Sequence, residues 1–154
     1  MNDKETITRL QADYARRLDA RDADGFTALF CEAGELVRPD GRRFTGPRKI
    51  RKAIQSMPAG GAHIPEAGFI EIDGDKATST SRFRYVPTEG DHITGTYHDQ
   101  FVRTPQGWRF SVRQSNRACG AVVLHEQIRH ALRLDCTSIE RQVRRVALCL
   151  ESQR

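Results

Sequence analysis

The chain has 154 residues, of which 38% are hydrophobic and 29% charged, and its formal net charge is +5. A chain of this size forms one ordinary globular domain and can bury about two thirds of the surface that it exposes when unfolded. No run approaches the ~18 to 20 apolar residues of a membrane span, and the acidic N-terminal segment lacks the basic and apolar regions of a signal peptide. We therefore expect a cytoplasmic protein that has no membrane partner.

The excess of basic residues is a weak indication of nucleic-acid binding, because 20 acidic side chains are interleaved with the 25 basic ones. No RNA- or DNA-binding motif is present, so no nucleic-acid partner is predicted. The four cysteines are scattered without a CxxC pair, and neither a zinc site nor a disulfide framework is indicated. The sequence also lacks GxGxxG, P-loop and GxSxG motifs. We accordingly expect no metal and no other cofactor.

The first predicted element is an amphipathic helix. Its apolar side chains recur at spacings of three and four, and arginines and acids cover most of the remaining surface. The apolar stripe consists of Ile7, Leu10, Tyr14 and Leu18. The same helix carries a phenol, Tyr14, and a carboxylate, Asp19, near its C-terminal end. It is therefore the expected lid of any pocket in this protein.

Two shorter helices are predicted next. Asp22 or Asp24 is suited to cap a helix over residues 25–31, because a short polar side chain there accepts a backbone N–H. A short strand over residues 35–38 and a return strand follow around a Pro-Asp-Gly turn. Pro47 is then placed at the first position of a third helix, where its missing N–H costs nothing.

From His63 onward the hydrophobic period changes from the helical to the alternating pattern. The predicted strands cover residues 69–72, 76–86, 92–104 and 108–116. Three helices followed by an antiparallel meander indicate an α+β fold with the helices gathered on one face of the sheet. A curved sheet that wraps around a helix encloses a cavity.

The C-terminal residues carry a different pattern. A helix is predicted over residues 122–134, and a capping box at residues 137–140 begins another helix with apolar residues at coiled-coil spacing. We therefore divide the chain into a domain over residues 1–118 and a C-terminal helical tail over residues 119–154. The tail is expected to pack on the domain or on a partner subunit.

Several strings of residues, in their order and spacing, resemble the SnoaL-like branch of the nuclear transport factor 2 superfamily. They are Tyr14-Ala15-Arg16-Arg17-Leu18-Asp19, Gly46 with Ile50, His63, Ile70-Glu71-Ile72-Asp73-Gly74-Asp75, Gly95-Thr96-Tyr97-His98-Asp99, and Gly107-Trp108-Arg109 with Arg113. The resemblance covers about residues 4–116 and implies a cone-shaped α+β barrel, with three N-terminal helices packed on a curved antiparallel sheet. Its implication for activity is broader, because the superfamily includes dehydratases, isomerases, cyclases, a dehydrochlorinase and many non-enzymes.

The group of hexachlorocyclohexane dehydrochlorinase and scytalone dehydratase supplies a chemical hypothesis. Asp19 and His63 fall where this group has an aspartate–histidine dyad, and Arg113 falls near a pocket arginine of the last strand. The resemblance implies that His63 removes a proton beside the leaving group and that Asp19 orients the ring and stabilises its cation. Such a pair is chemically sound, because a carboxylate that holds one ring N–H fixes the histidine tautomer. From the residues alone, the favoured interpretation is that Asp19 is a helix-end or loop residue and His63 a loop histidine without a partner.

Ketosteroid isomerase matches less completely. Its oxyanion-binding tyrosine and protonated aspartic acid correspond to Tyr14 and Asp99, but Arg38 stands at the position of its catalytic base. Because arginine does not accept a proton, ketosteroid isomerisation is not predicted. Asp99 alternates with Tyr97 and Phe101, which places a carboxylate on an apolar strand face where it needs a partner or a raised pKa. Tyr14 is either a core tyrosine or a donor to a substrate carbonyl or oxyanion.

The position of Arg113 is in conflict with the simple alternation. If Trp108, Phe110 and Val112 form the core, Arg113 points away from it. Either a bulge changes the register of the last strand, or both faces of the sheet are buried, the outer one by a second subunit. The second interpretation is preferred, and it predicts a homo-oligomer, either a dimer or a trimer.

These observations predict a cofactor-independent lyase or isomerase that acts on a small hydrophobic compound. A cyclic or aromatic compound is one candidate. Asp19 and His63 are the predicted catalytic residues of a largely apolar pocket. The predicted substrate-binding residues are Tyr14, Asp99, Arg113, Phe30, Phe83, Tyr85 and Tyr97. The alternative is a module that binds a small ligand in the same pocket without chemistry, or one whose main role is oligomerisation.

Overall fold

The computed structural model describes residues 2–57 and 60–118. In chain order its elements are α1 (Asp3–Asp19), α2 (Ala23–Thr27), β1 (Phe30–Val37), β2 (Arg43–Thr45), α3 (Pro47–Gln55), β3 (Ala62–Asp73), β4 (Lys76–Val86), β5 (Ile93–Thr104) and β6 (Gly107–Arg117). The predicted α+β class, with three N-terminal helices and four long strands, is confirmed. The predicted helices and packing of the 119–154 tail lie outside the described residues.

The helices begin where local chemistry satisfies their first N–H groups. At α1 a capping box joins Asn2 and Glu5, with the backbone N–H of Glu5 donating to Asn2 Oδ1 at 2.9 Å. At α2 the carboxylate of Asp22 accepts the N–H of Gly25 at 2.9 Å, and α3 starts at Pro47 as predicted. No helix in the described part of the chain is long and apolar enough to cross a membrane.

The six strands form one curved sheet in the order β2-β1-β6-β5-β4-β3. β3 to β6 form the predicted antiparallel meander, whereas β1 pairs with β6 in parallel. The sheet is therefore antiparallel except at this pair. Because α3 and the whole meander separate β1 from β6 in the chain, no local sequence pattern indicates the parallel pairing.

The start of β1 differs from the prediction. Phe30 and Cys31 belong to β1 and not to the second helix. Since Phe26, Leu29 and Phe30 recur at helical spacing, the local pattern favoured a longer helix. In the fold, Phe30 instead lies opposite Phe110 of β6, and the two ring centroids are 5.3 Å apart. Pairing with a distant strand thus overrides the local preference.

α1 and the concave face of the sheet enclose an aromatic core. The predicted stripe of α1 is buried, and the buried residues of this helix are Ile7, Leu10, Gln11, Tyr14, Ala15 and Leu18. The ring of Tyr14 lies 4.7 Å from that of Phe26, 5.7 Å from that of Tyr97 and 5.9 Å from that of Phe110, measured between centroids. Aromatic pairs at such distances add to the free energy of burial. α1 therefore covers the inside of the cone, as predicted.

A bulge in β6 resolves the conflict over Arg113. Consecutive residues of β5 lie opposite Phe110 and Val112 of β6, which leaves Ser111 as an extra residue. The extra residue inverts the alternation, so that Phe110 before it and Arg113 after it both face the core. Arg113 is only 1% exposed. The preferred interpretation, that Arg113 points outward against a second subunit, is therefore wrong. The homo-oligomer stays a prediction without this support.

Candidate active site

Aligned strands present rows of side chains to the inside of the cone, because every second residue of a strand faces the same side. One row consists of Leu36, Arg113, Asp99, Ser79 and Ile70, from β1 to β3. The next row consists of Ser115, Tyr97, Ser81 and Gly68. A third row, near the end of the sheet, consists of Ile93, Tyr85 and His63.

The structure brings Asp19 and His63 into contact. Asp19 is the last residue of α1, and His63 is the second residue of β3. Asp19 Oδ1 lies 2.7 Å from His63 Nδ1, and the backbone N–H of His63 donates to Asp19 Oδ2 at 2.9 Å. The side chains of His63 and Asp19 are 22% and 27% exposed. One carboxylate thus holds both the ring and the backbone of the histidine at the accessible edge of the core.

This contact determines which ring nitrogen of His63 is available. An ionised carboxylate only accepts hydrogen bonds, so Nδ1 carries the proton and Nε2 is the unprotonated nitrogen of the neutral ring. Among the described residues, Nε2 has no hydrogen-bond partner. A carboxylate in this position also stabilises the imidazolium that forms when Nε2 takes up a proton. The pair therefore has the arrangement of a general base and its orienting acid.

Tyr85 packs on His63 from the neighbouring strand. The two residues lie opposite each other in the β3–β4 register, and their ring centroids are 4.6 Å apart. The Tyr85 hydroxyl donates to the carbonyl oxygen of Gly60 at 2.7 Å. A Cβ at Gly61 would lie 2.6 Å from that hydroxyl, so only glycine fits there. Tyr85, predicted as a pocket wall, contacts the histidine itself.

Gly61→Ala is expected to displace Tyr85 from His63, because the new methyl group overlaps the Tyr85 ring. The substitution also strains the backbone by about 1 to 2 kcal/mol, since φ of Gly61 is +86°. Gly90→Ala is the matched control, because φ there is +88° and no atom lies within 4 Å of the added Cβ. The Gly61→Ala protein should melt at a lower temperature than the Gly90→Ala protein. Only Gly61→Ala should shift the NMR signals of the His63 ring. Equal melting temperatures with unchanged His63 signals would contradict this packing.

The turn after α1 anchors the end of the helix that carries Asp19. Arg21 adopts φ = 59°, an uncommon value for a residue other than glycine. Its guanidinium donates to the backbone oxygen of Gln55 at 3.3 Å and to that of Met57. These carbonyls lie at the C-terminal end of α3, where a helix leaves its last carbonyls unpaired. The sequence pattern gave no signal for this link between α1 and α3.

A buried ion pair lies deeper in the cone. Arg113 and Asp99 are 1% and 2% exposed, and Arg113 Nε lies 3.5 Å from Asp99 Oδ1. The guanidinium carbon of Arg113 lies 3.9 Å from the ring centroid of Tyr14, 3.8 Å from that of Tyr97 and 4.7 Å from that of Phe110. Burial raises the pKa of Asp99, and the charge of Arg113 opposes this rise. Aromatic faces thus supply part of the stabilisation that water would give the cation.

Gln11 completes this cluster and was missed in the sequence. Gln11 Nε2 donates to Asp99 Oδ2 at 3.1 Å and to Ser79 Oγ at 2.8 Å, and the Ser79 hydroxyl donates to Asp99 Oδ2 at 3.3 Å. The available signal was its position, four residues after Ile7 on the buried stripe of α1. A polar side chain on such a stripe needs a buried partner.

Several polar atoms of the interior have no hydrogen-bond partner within the described part of the chain. They include Asp99 Oδ1 and Arg113 Nε and Nη1, which are buried, and the hydroxyls of Tyr14 and Tyr97. Burial raises the pKa of Tyr14 to about 12 and also raises the pKa of Tyr97, so both hydroxyls remain donors at neutral pH. Buried polar groups are normally paired in native proteins. The interior therefore presents donors to a carbonyl or an oxyanion of a ligand.

Further aromatic side chains extend the core beside the buried cation. Phe83 stacks on Tyr97 with ring centroids 4.3 Å apart. Burial raises the pKa of Tyr97, and the negative charge of Asp19 adds to this rise, so Asp19 lies within electrostatic reach of Tyr97. Phe30, Phe83 and Tyr97, which were predicted as pocket walls, are buried members of the aromatic core. These three side chains therefore pack in the core between α1 and the sheet, and their role as pocket walls stays a prediction.

A surface hollow of about 660 Å³ lies elsewhere. It is lined by Asn2, Asp3, Lys4, Glu5, Thr8, Arg9 and Ile72. α1 is 17 residues long, roughly 25 Å at 1.5 Å per residue, and the hollow and Asp19 are at its opposite ends. This charged, open hollow is not the apolar pocket that the sequence predicted. Within residues 2–57 and 60–118, no group of three or more His, Cys, Asp or Glu side chains is arranged to hold a metal ion.

A curved six-stranded sheet with an N-terminal helix packed on it is the fold of the NTF2-like class. The model of the SnoaL-like domain matches residues 1–114. The chain belongs to this family, and the resemblance noted in the sequence is confirmed. None of the curated proteins compared with the chain matches it at a significant level.

Solved structures share the fold. An NTF2-like protein with a cystatin-like fold from Novosphingobium aromaticivorans is 25% identical, with a TM-score of 0.70 over 78% of this chain and 84% of its own. A candidate scytalone dehydratase from the same organism is 22% identical, with a TM-score of 0.65 over 75% of this chain and 84% of its own. LinA, a hexachlorocyclohexane dehydrochlorinase, is 16% identical, with a TM-score of 0.69 over 79% of this chain and 91% of its own.

Proposed function

We propose that the protein is a cofactor-independent lyase or isomerase in which His63 is the general base. The observation that carries this proposal is the double contact of the Asp19 carboxylate with the ring and the backbone of His63, at 2.7 and 2.9 Å. The dehydratase and dehydrochlorinase among the structural neighbours agree with such a reaction. These two proteins are less than 25% identical to this chain, so the similarity is evidence for the fold alone. The argument for the reaction depends on the contact between Asp19 and His63.

The reaction begins when His63 Nε2 takes a proton from a carbon of the substrate. In the lyase version, the electron pair of the broken C–H bond forms a C=C bond, and the leaving group departs from the adjacent carbon with its bonding electrons. A departing hydroxide takes the proton from the imidazolium and leaves as water. In the isomerase version, the proton returns to a different carbon. Asp19 holds Nδ1–H throughout and stabilises the charged ring.

The interior supplies the binding groups for such a substrate. The unpaired N–H groups of Arg113 and the hydroxyls of Tyr14 and Tyr97 are suited to polarise a carbonyl or to stabilise a departing anion. The stacked rings of Phe83 and Tyr97 favour a small hydrophobic ligand that is cyclic or aromatic. Asp99 acts through Arg113, whose guanidinium it holds in place.

The proposal is tested with cyclic and aromatic compounds that carry a hydroxyl or chloride next to an acidic C–H bond. We expect the purified protein to form a C=C bond in at least one of these compounds, without added cofactor and in the presence of a chelator. The absorbance of the new double bond measures the reaction. In D₂O, recovered or isomerised substrate should exchange that hydrogen for deuterium, because His63 would return a solvent-derived proton. A protein that binds members of the panel but catalyses neither elimination nor exchange would be the binding module of the alternative hypothesis.

A further inference from the structure

Arg38 is a half-buried cation at the edge of the cone interior. It directly follows β1, and its backbone pairs with the residues of the β1–β2 turn. Within residues 2–57 and 60–118, its guanidinium forms no hydrogen bond and no ion pair. A cation that is partly removed from water and makes no direct contact with a carboxylate costs free energy. Such a group therefore calls for an explanation.

The strand register places Arg38 next to the interior polar groups. Leu36 of β1 lies opposite Arg113 of β6, so Arg38 reaches the level of Ser115, two residues further along. Leu36 is 1% exposed and faces the core, and alternation puts Arg38 on the same face. Burial raises the pKa of Tyr14 to about 12, while the charges of Arg113 and Arg38 oppose this rise. The positive charge of Arg38 thus reaches Tyr14, whose ring lies against the guanidinium of Arg113.

The acidic groups near Arg38 are engaged by other residues. Asp40 is held by Arg42, with the Arg42 guanidinium nitrogens at 2.6 and 2.7 Å and the Arg42 N–H at 3.1 Å. Asp99 lies deeper and faces Arg113 at 3.5 Å. The charge of Arg38 helps to lower the pKa of Asp40, but the oxygens of that carboxylate are held by Arg42. The N–H donors of the Arg38 guanidinium are therefore left for a ligand.

We propose that Arg38 binds an acidic group of the ligand, so that the substrate class is a small cyclic or aromatic carboxylic acid. The planar guanidinium matches the two oxygens of a carboxylate, and the ligand ring would lie against the tyrosines of the interior. A carboxylate, with one negative charge, matches the single positive charge of Arg38. This inference rests on the proposed function, since it names the substrate class of the same interior.

The test measures binding of two inert probes of equal shape, 2-naphthoate and 2-naphthamide, by calorimetry with the full chain. We expect the carboxylate to bind wild type about tenfold or more tightly than the amide, the size of one charge-assisted hydrogen bond. Arg38→Gln should bring the two dissociation constants close together, and Arg38→Lys should retain part of the preference. Arg84→Gln, at an exposed position of the outer sheet face, is the matched control and should keep the full preference.

Equal binding of the two probes by wild type, no binding of either probe, or an undiminished preference in a folded Arg38→Gln protein would each overturn this inference. The measurement needs no turnover, so its outcome is separate from that of the elimination assay. A clear preference without catalysis refutes the proposed reaction and leaves the ligand class standing. Catalysis with no role for Arg38 refutes the ligand class alone.

Discussion

Asp19→Asn is expected to lower kcat by roughly 10²- to 10⁴-fold on any substrate of this protein, the usual contribution of a correctly oriented general base. The backbone N–H of His63 donates to Asp19 Oδ2. A backbone N–H can only donate, so it always needs an acceptor at this position. The amide oxygen of asparagine must therefore take that position, which turns the NH₂ group toward His63 Nδ1. Nδ1 then becomes the acceptor and Nε2 carries the proton. The ring has the wrong tautomer, although its position is unchanged.

Two further variants make this result specific. His63→Gln should lose about as much activity as Asp19→Asn, and the double variant should lose little more, because the two residues act as one unit. Asp13→Asn changes an exposed carboxylate of the same helix, paired with Arg16 at 2.9 Å, and should retain activity. If Asp19→Asn remained fully active, the orienting role of Asp19 would be refuted.

Arg113→Met is expected to destabilise the protein by an amount that grows with pH. Burial raises the pKa of Asp99, so the folded state keeps the Asp99 proton at pH values where the unfolded chain has lost it. In that range the unfolded state binds fewer protons, and the free energy of unfolding falls as pH rises. Arg113 opposes this fall in wild type, and methionine does not. The difference from wild type should be small at pH ~4, near the unfolded pKa of aspartate, and about 3 kcal/mol at pH ~8.

Chemical denaturation of both proteins across this pH range measures the difference. The double variant Arg113→Met/Asp99→Leu removes both charges. Because it has no carboxyl group at position 99, its free energy of unfolding relative to wild type should not fall as pH rises. A constant difference between Arg113→Met and wild type would show that Arg113 stabilises the core only through its contacts with the rings. A difference that shrinks as pH rises would contradict the ion pair.

The meander was predictable because alternation over ten or more residues is a strong local signal. β4 begins and ends at the predicted residues, β5 begins one residue later than predicted, and β6 is one residue longer at each end. β3 begins at Ala62, seven residues before the predicted start at residue 69, and ends one residue later than predicted. Pro47 begins α3 as predicted, and Asp22, one of the two predicted caps, caps α2, although this helix begins two residues earlier and ends four residues earlier than predicted. In each case the signal and the structure it determines are close together in the chain.

Errors arose where a distant partner decides the conformation. The helical spacing of Phe26, Leu29 and Phe30 is real, but the parallel pairing of β1 with β6 prevails over it. The bulge at Ser111 depends on how β6 pairs with β5. A serine in a strand does not indicate a bulge, so the sequence did not predict it. Gln11 had a visible position on the helix, whereas its partner Asp99 lies 88 residues away.

The two residues of the dyad illustrate the same limit. Asp19 and His63 are separated by 44 residues, and nothing local indicates that they meet. The family resemblance placed them together, and the structure brings them into hydrogen-bond contact. Their catalytic role stays a prediction that chemistry has to test. Both side chains are partly exposed, so the pair can be reached from solvent.

The most direct test of this account is the ¹⁵N chemical shifts of the His63 ring nitrogens in the neutral form, assigned by comparison with His63→Gln. The account predicts a protonated Nδ1 and an unprotonated Nε2 in wild type, and the reverse tautomer in Asp19→Asn. A wild-type ring with the proton on Nε2, or a mixture of tautomers that Asp19→Asn leaves unchanged, would contradict the claim that His63 is a base held by Asp19.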